Sequence, residues 1–352
     1  MLSLLSLQQN CIKSYRKYSD SVAVLSGIYH ILLRKPRIAD YVGVETKLQN
    51  NEGNDLTPDL AMLYENRTKG LLFELKWSMP FSETLLEKEI REIEKYFSPF
   101  SKWRNSSGKV DYHDLVYVCH HEDADRVINT ISKVAKDSEF EFLSSSSFAL
   151  WTWSIYVARG GERKENLVLR SAYGKTRNTV LENMLKKPTG LILPEATLTY
   201  LRSTFSFIRD KPPVQYTIIK LLHNIIPQFQ DPTLDRGESY EITTDLIYEK
   251  TKILFPSWRD YDVQTIQIKR GWIKEALQKL FVLGLIGKPV GKPNTWLIPI
   301  PIIRRSPIHL ALCKKLAKNE IKQRSRRSHK GRPRKTPLKL KAHPKTMKID
   351  SY

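Results

Sequence analysis

Apolar residues recur along the first half of the chain in two rhythms. From Tyr15 to Leu33 they fall at helical spacing (Val22, Leu25, Ile28, Tyr29, Leu32), which predicts an amphipathic helix stopped by Pro36. Tyr41–Leu48 alternates as a strand does. Beyond the polar loop Gln49–Thr57 come two more strands, Leu60–Tyr64 and Leu71–Trp77, with Glu65–Gly70 as the hairpin turn between them. Thr84–Phe97 returns to helical spacing through Leu85, Ile90, Ile93 and Phe97. A short apolar strand, Asp114–Cys119, precedes a helix from Asp123 to Lys136, and Phe148–Ala158 and Leu167–Leu169 read as further strands. The order is helix, three strands, helix, strand, helix, strand. It predicts an α/β fold with a mixed sheet flanked by helices.

Residues 176–212 show no clear period, and Pro212-Pro213 is the best boundary signal. Beyond it the pattern predicts helices over 214–227, 241–254 and 264–283. Leu285-Ile286-Gly287, a Gly/Pro/Lys turn and a strand Thr295–Ile300 follow. In the third helix Ile268, Trp272, Ile273, Ala276, Leu277, Leu280 and Phe281 make an apolar stripe, with Lys269, Arg270 and Lys274 largely outside it. The expected organisation is a domain over 1–175, a connector over 176–212, a second domain over 213–303 and a tail over 304–352. The tail has few large apolar residues after Leu316 and is expected to be disordered when free.

With 352 residues there is length for two cores and an extension. No apolar run is long enough to cross a bilayer, and Met1–Leu7 lacks a charged leader and a small-residue cleavage site. The three cysteines are scattered singly, so neither a disulfide framework nor a CxxC site is expected; an intracellular, reducing setting (cytoplasm or nucleoid, or the nucleus in a eukaryote) fits. Charge changes the picture more. Of the +21 formal net charge, most sits from Arg304 onward, where 17 Lys or Arg face only Glu320 and Asp350. A polyanion is the natural partner. A membrane surface fits less well, because the tail does not alternate apolar and basic residues. There is no GxxxxGK[ST] loop and no Ser or Cys triad, which argues against a nucleotide-driven motor and against acyl-transfer chemistry.

The candidate chemistry lies on the hairpin, in Pro58-Asp59 and Glu74-Leu75-Lys76. Strand side chains alternate, so Glu74 and Lys76 project from one face. A four-residue hairpin loop would put Asp59 across from Glu74 or Lys76 on that face; a five-residue loop would turn it away. In the first register Asp59 and Glu74 can share Mg²⁺, with Mn²⁺ as a substitute, and the Leu75 carbonyl can add a ligand. Lys76 would then orient the attacking water or stabilise charge on the phosphate. The bland reading is a solvent-facing Glu74–Lys76 ion pair on an edge strand.

These residues resemble the PD-(D/E)xK nuclease superfamily, and the likeness in element order extends over Tyr15–Ser171. The resemblance implies a restriction-endonuclease-like fold and metal-dependent DNA hydrolysis, with Asp59 and Glu74 as ligands and Lys76 positioning water. A further acidic ligand usually comes from the first helix. Asp20 is the only acid there, and Glu45, nearer in chain to the motif, is the preferred candidate. Elsewhere, His120-His121-Glu122-Asp123 reads as a polar loop and helix start. Glu87–Glu94 reads as a solvated helix face with a Glu87–Arg91 pair, or else as the flank of a catalytic groove. Trp151 and Trp153 read as core.

Three helices and a β-wing, with Gly287–Lys292 at its tip, are similar to winged-helix domains. That likeness implies Lys269, Arg270 and Lys274 facing a DNA groove, and Lys288 and Lys292 on phosphates. A winged helix that only docks proteins is the alternative. Lys330-Gly331-Arg332-Pro333-Arg334-Lys335 resembles an AT-hook, whose Gly-Arg-Pro core suits a narrow minor groove; a plain polycation or localisation signal is equally compatible. The whole reads as a metal-dependent endonuclease acting on double-stranded DNA in a mobile element, recombination or defence. A homodimer, or a transposase or recombinase partner, would supply a second active site. The rivals are a catalytically inert DNA-binding regulator or architectural protein, and an RNA-processing nuclease.

Overall fold

A computed structural model describes residues 3–34, 38–51, 53, 55–97, 100–103, 106, 110–145, 147–158, 164–186, 189–193, 205–229, 239–255, 263–299 and 308–330. The chain opens with helix α1 (Leu4–Arg34), eleven residues longer at its start than the apolar period from Tyr15 indicates. The strands that follow are β1 (Tyr41–Val44), β2 (Leu48–Asn50), β3 (Asp55–Leu56), β4 (Leu60–Tyr64) and β5 (Lys69–Leu75). After α2 (Glu83–Arg91), which tightens into a 3₁₀ turn through Tyr96, come β6 (Phe100–Lys102), β7 (Tyr112–His120) and α3 (Ala124–Val134). β8 (Phe148–Ala158), β9 (Lys164–Gly174), α4 (Thr179–Leu185) and β10 (Leu191–Leu193) complete this part.

Seven strands form one mixed sheet in the order β1-β4-β5-β7-β8-β9-β10, and β3-β2-β6 form a small second sheet. Only β5–β7 and β7–β8 pair in parallel. Parallel neighbours need a crossover, and α2 and α3 provide it. The central strands are buried on both faces. Leu60, Met62, Leu71, Phe73 and Leu75 point toward α1, while Ala61, Leu63 and Leu72 point toward α2 and α3. Trp151 and Trp153 lie in the α1-side core, as their spacing indicates.

The strand expected over Tyr41–Leu48 breaks at Glu45, whose φ of 45° turns the chain out of the large sheet and into the small one. The second half begins with α5 (Val214–Lys220), continued through a π turn to Ile225 and a 3₁₀ turn to Phe229. The helix expected over 241–254 starts as a strand, β11 (Ser239–Thr243). Thr243 then caps α6 (Thr244–Thr251), its hydroxyl accepting from the Leu246 N–H at 3.2 Å. α7 (Val263–Val282) and β12 (Thr295–Pro299) follow, and β12 pairs antiparallel with β11.

Two expectations are corrected here. The tail does not begin at Arg304: Ile308–Lys330 forms α8, which buries Leu312, Cys313, Leu316 and Ala317. That i, i+1, i+4, i+5 set is a helical stripe, and its Cys313 Sγ lies 2.6 Å from Cys11 Sγ on α1. Nor does Pro212-Pro213 mark a break in packing. One continuous apolar core joins α1 and the sheet to α5, α6, α7 and α8. Among the described residues no helix is long and apolar enough to cross a membrane.

Candidate functional site

The β4–β5 ladder pairs Tyr64 with Lys69 and Leu60 with Phe73, so the hairpin loop holds four residues, Glu65–Thr68. Glu65, Asn66 and Arg67 all take positive φ, and the Arg67 N–H is anchored on Asp40 Oδ2 at 3.1 Å. One step beyond Leu60–Phe73 the same register brings Asp59 beside Glu74. Asp59 Oδ2 accepts from the Leu75 N–H at 2.7 Å, and the Lys76 N–H continues the sheet by donating to the Val118 carbonyl at 2.9 Å. The motif thus sits at the carboxyl end of β5, where it meets parallel β7, a usual place for a ligand crevice.

Asp59 and Glu74 are both buried, at 2% and 6% exposure. Burial raises the Asp59 carboxyl well above its ordinary value, and Glu74 and Asp210 push it further, against the Leu75 hydrogen bond and Lys76. Lys76 Nζ lies 3.2 Å from Glu74 Oε1, 3.0 Å from Glu89 Oε1 on α2 and 3.6 Å from Asp210 Oδ1. Burial opposes its charge, yet these carboxylates hold the ammonium firmly protonated. Tyr96 donates its hydroxyl proton to Glu74 Oε2 at 3.0 Å, and Arg209 Nη1 donates to that hydroxyl at 3.2 Å.

Glu45 joins this neighbourhood from a different side. Its N–H donates to the Asp59 carbonyl at 3.0 Å, but its carboxylate pairs with Lys269 Nζ at 3.5 Å. Oε1 of Glu45 is buried without a hydrogen-bond partner. The left-handed backbone at Glu45 is costly for a non-glycine residue, and such strain concentrates at functional sites. The structure therefore draws Glu45 toward the second half of the chain instead of into one ligand set with Asp59 and Glu74.

Among the described residues no three His, Cys, Asp or Glu side chains are arranged as a ready metal cage. The donors present still suit Mg²⁺, which is commonly held by one or two carboxylates and keeps several waters. Among the described residues, Glu45, Asp59, Glu74, Glu89 and Asp210, when fully ionised, face the cations Lys76, Arg209 and Lys269, and one divalent cation would balance that set.

The residues expected to meet DNA divide. Lys269 is 2% exposed and cannot reach a groove from this position; it lies 4.9 Å from the Phe255 ring centroid and 5.0 Å from that of Trp272. Arg270 is half-buried, its guanidinium over Tyr248 at 5.4 Å. Lys274, Lys288 and Lys292 are exposed, with Lys292 paired to Glu241 at 2.6 Å and Lys288 over Trp296 at 4.5 Å. Lys330 ends α8, and Gly331, Arg332, Pro333 and Arg334 lie outside the described residues. The Glu87–Arg91 pair forms at 3.0 Å, and Glu89 from the same charged run does flank the site. His120 accepts from the Glu122 N–H at 3.3 Å, as a helix-start residue would.

Sequence reasoning missed Tyr96, Arg209 and Asp210. Arg209 and Asp210 belong to the segment without a period, where only their place just before Pro212-Pro213 could have drawn attention. No family model matches this chain, and neither a curated protein nor a solved structure does.

Proposed function

We propose that the chain is a divalent-metal-dependent endonuclease acting on double-stranded DNA, of the PD-(D/E)xK type, guided by a winged-helix-like unit. The observation that carries this reading is the four-residue hairpin loop, the register in which Asp59 and Glu74 share one buried corner with Lys76 3.2 Å from Glu74. A buried carboxylate pair is costly unless a cation compensates it. Asp59, Glu74 and the Leu75 carbonyl would hold Mg²⁺ or Mn²⁺, which when bound acidifies water and offsets phosphate charge. Tyr96 fixes Glu74 by hydrogen bonding, and Lys76, held by three carboxylates, presents a fixed positive charge to the attacking water and the phosphate.

The second half supports the DNA-guiding role through its order: α5, β11, α6, α7, then the Gly287–Lys292 turn into β12, with Gly287 bridged to Leu297. Lys274, Lys288 and Lys292 are exposed and available to this unit for phosphate contact. The basic tail adds salt-sensitive affinity.

The test uses the full chain on supercoiled and linear duplex DNA, with and without Mg²⁺ or Mn²⁺, beside RNA of the same sequence. Cleavage that needs the metal, and that Asp59→Ala and Lys76→Ala abolish while binding persists, supports the proposal. If all three proteins bind without cutting, the chain is a DNA-binding protein with an inert nuclease-like fold. Preferential cutting of RNA would move the substrate class.

A further inference from the structure

The segment between the two halves enters the site as a fixed part of it. The Tyr18 hydroxyl accepts from the Ile208 N–H at 3.2 Å and donates toward the Ile208 and Asp210 carbonyls at 3.3 Å. Phe207 is fully buried and stacked on Phe255 with centroids 4.5 Å apart. The residues on either side of Arg209 are therefore anchored to Tyr18. The Arg209 side chain lies against the motif: Nη1 donates to the Thr57 carbonyl and to the Tyr96 hydroxyl, while the residue as a whole remains exposed.

A guanidinium has five N–H donors in a rigid fork. Among the described residues nothing accepts from Nε or Nη2 of Arg209, and no carboxylate forms an ion pair with it. The other two cations of the site act by charge alone, their hydrogen-bond donors being directed at protein groups. Lys76 is shared by Glu74, Glu89 and Asp210, and Lys269 is sealed against Glu45 and two aromatic rings. Although Arg209 is exposed, the inner end of its side chain is partly desolvated, which opposes its charge; Glu74, Tyr96 and Asp59 hold it protonated. A phosphodiester anion approaching so many carboxylates needs a cation with unused donors, and the Nε/Nη2 edge matches two phosphate oxygens in one plane.

We propose that Arg209 grips the scissile phosphodiester of the substrate, its Nε/Nη2 edge donating to the two non-bridging oxygens beside Asp59 and Glu74. The proposal rests on the nuclease reading above and adds a substrate contact that the hairpin motif does not contain. Tyr96, by contrast, is a positioning residue that acts through Glu74.

The experiment compares wild type, Arg209→Gln, Arg209→Lys and Tyr96→Phe in the full chain. It measures cleavage kinetics in Mg²⁺ and binding of a short duplex in Ca²⁺ across a salt series. Arg209→Gln should lower kcat/KM about ten- to a hundredfold and reduce the slope of log affinity against log salt by about one. Arg209→Lys keeps the charge but loses the fork, so its salt slope should stay near wild type while kcat/KM still falls. Tyr96→Phe should lower kcat with the salt slope unchanged. If Arg209→Gln does not fold, Arg209→Lys decides. Wild-type kcat/KM in the folded Arg209 variants overturns the proposal and leaves the nuclease reading standing. Absence of cleavage by the wild type removes both.

Discussion

Lys269 Nζ lies 3.5 Å from Glu45 Oε2, with both side chains 2% exposed, so a helix of the second half is tied to the turn that follows β1. Burial lowers the Lys269 pKa and raises that of Glu45, while each partner's charge works against the shift in the other. Removing one member strands the other in a dry environment. Lys269→Ala should therefore destabilise the fold by about 3–5 kcal/mol. Lys269→Met with Glu45→Gln should recover most of the loss, because the volume is kept and no buried charge remains. Urea unfolding of the single and double variants checks this, and an additive double variant would refute the pairing.

The same residue shows why the sequence misled. Lys269, Trp272, Ile273, Ala276, Leu277 and Leu280 are the buried positions of α7, at steps of three, one, three, one and three. Period alone places Lys269 on the stripe, whereas its charge favours the surface and the apolar Ile268 beside it takes its place in a reading by residue type. Ile268 is 51% exposed. A lysine is buried only where a partner is brought to it, and that partner, Glu45, comes from a turn more than two hundred residues earlier in the chain. Local pattern carries no trace of such a pairing.

Arg177 makes a comparable lock at the other end of the sheet. Asp114, fully buried on β7, accepts from the Arg177 N–H at 2.7 Å and from Nε at 2.6 Å, and Nη2 reaches the His113 carbonyl at 2.9 Å. The guanidinium also lies 3.5 Å from the Tyr112 ring centroid. Burial raises the Asp114 carboxyl, and Arg177 opposes that rise. Arg177→Ala should cost about 3–5 kcal/mol. Arg177→Lys should recover little of it, since an ammonium supplies neither the fork nor the stacking plane. Thermal melting distinguishes these outcomes; full rescue by lysine would show that charge alone matters.

Continuity of the core makes a prediction about fragments. Tyr18 on α1 meets Tyr216 on α5 with ring centroids 4.6 Å apart, and Tyr15 meets the same ring at 5.7 Å. A fragment ending at residue 175 would leave this apolar face of α1 uncovered. Such a fragment should be poorly soluble or unfold at lower denaturant than the full chain, whereas ending at residue 330, which keeps α8 and its buried Leu312, Cys313, Leu316 and Ala317, should preserve most of the stability. Equal unfolding midpoints for the 1–175 fragment and the full chain would contradict a shared core.

The hairpin register was the part of the candidate site that the sequence could express, because loop length and strand alternation fix it together. Asp59, Glu74 and Lys76 follow from that arithmetic. Tyr96 had no such signal: it lies where α2 tightens into a 3₁₀ turn, and the tightened turn carries its hydroxyl to Glu74. Asp210 and Arg209 arrive through a segment whose position is set by tertiary anchors on Tyr18. Spacing along the chain could not encode that.

Asp59 links the site to pH. Its carboxyl is raised well above the ordinary value, first by burial and then by Glu74 and Asp210. A raised folded-state pKa means that folding favours the protonated form. Its stabilisation is complete below the ordinary carboxylate range and is lost as pH rises through the raised value. At neutral pH without metal, Asp59 is thus a liability to the fold, and Asp59→Asn should raise the melting temperature. A divalent cation requires the carboxylate, so the stabilisation by Mg²⁺ should grow as pH rises through the same window and vanish in Asp59→Asn. Melting curves of both proteins, with and without Mg²⁺ from mildly acidic to mildly alkaline pH, decide the matter. A metal increment that is independent of pH, or that survives in Asp59→Asn, would place the cation somewhere other than beside Asp59.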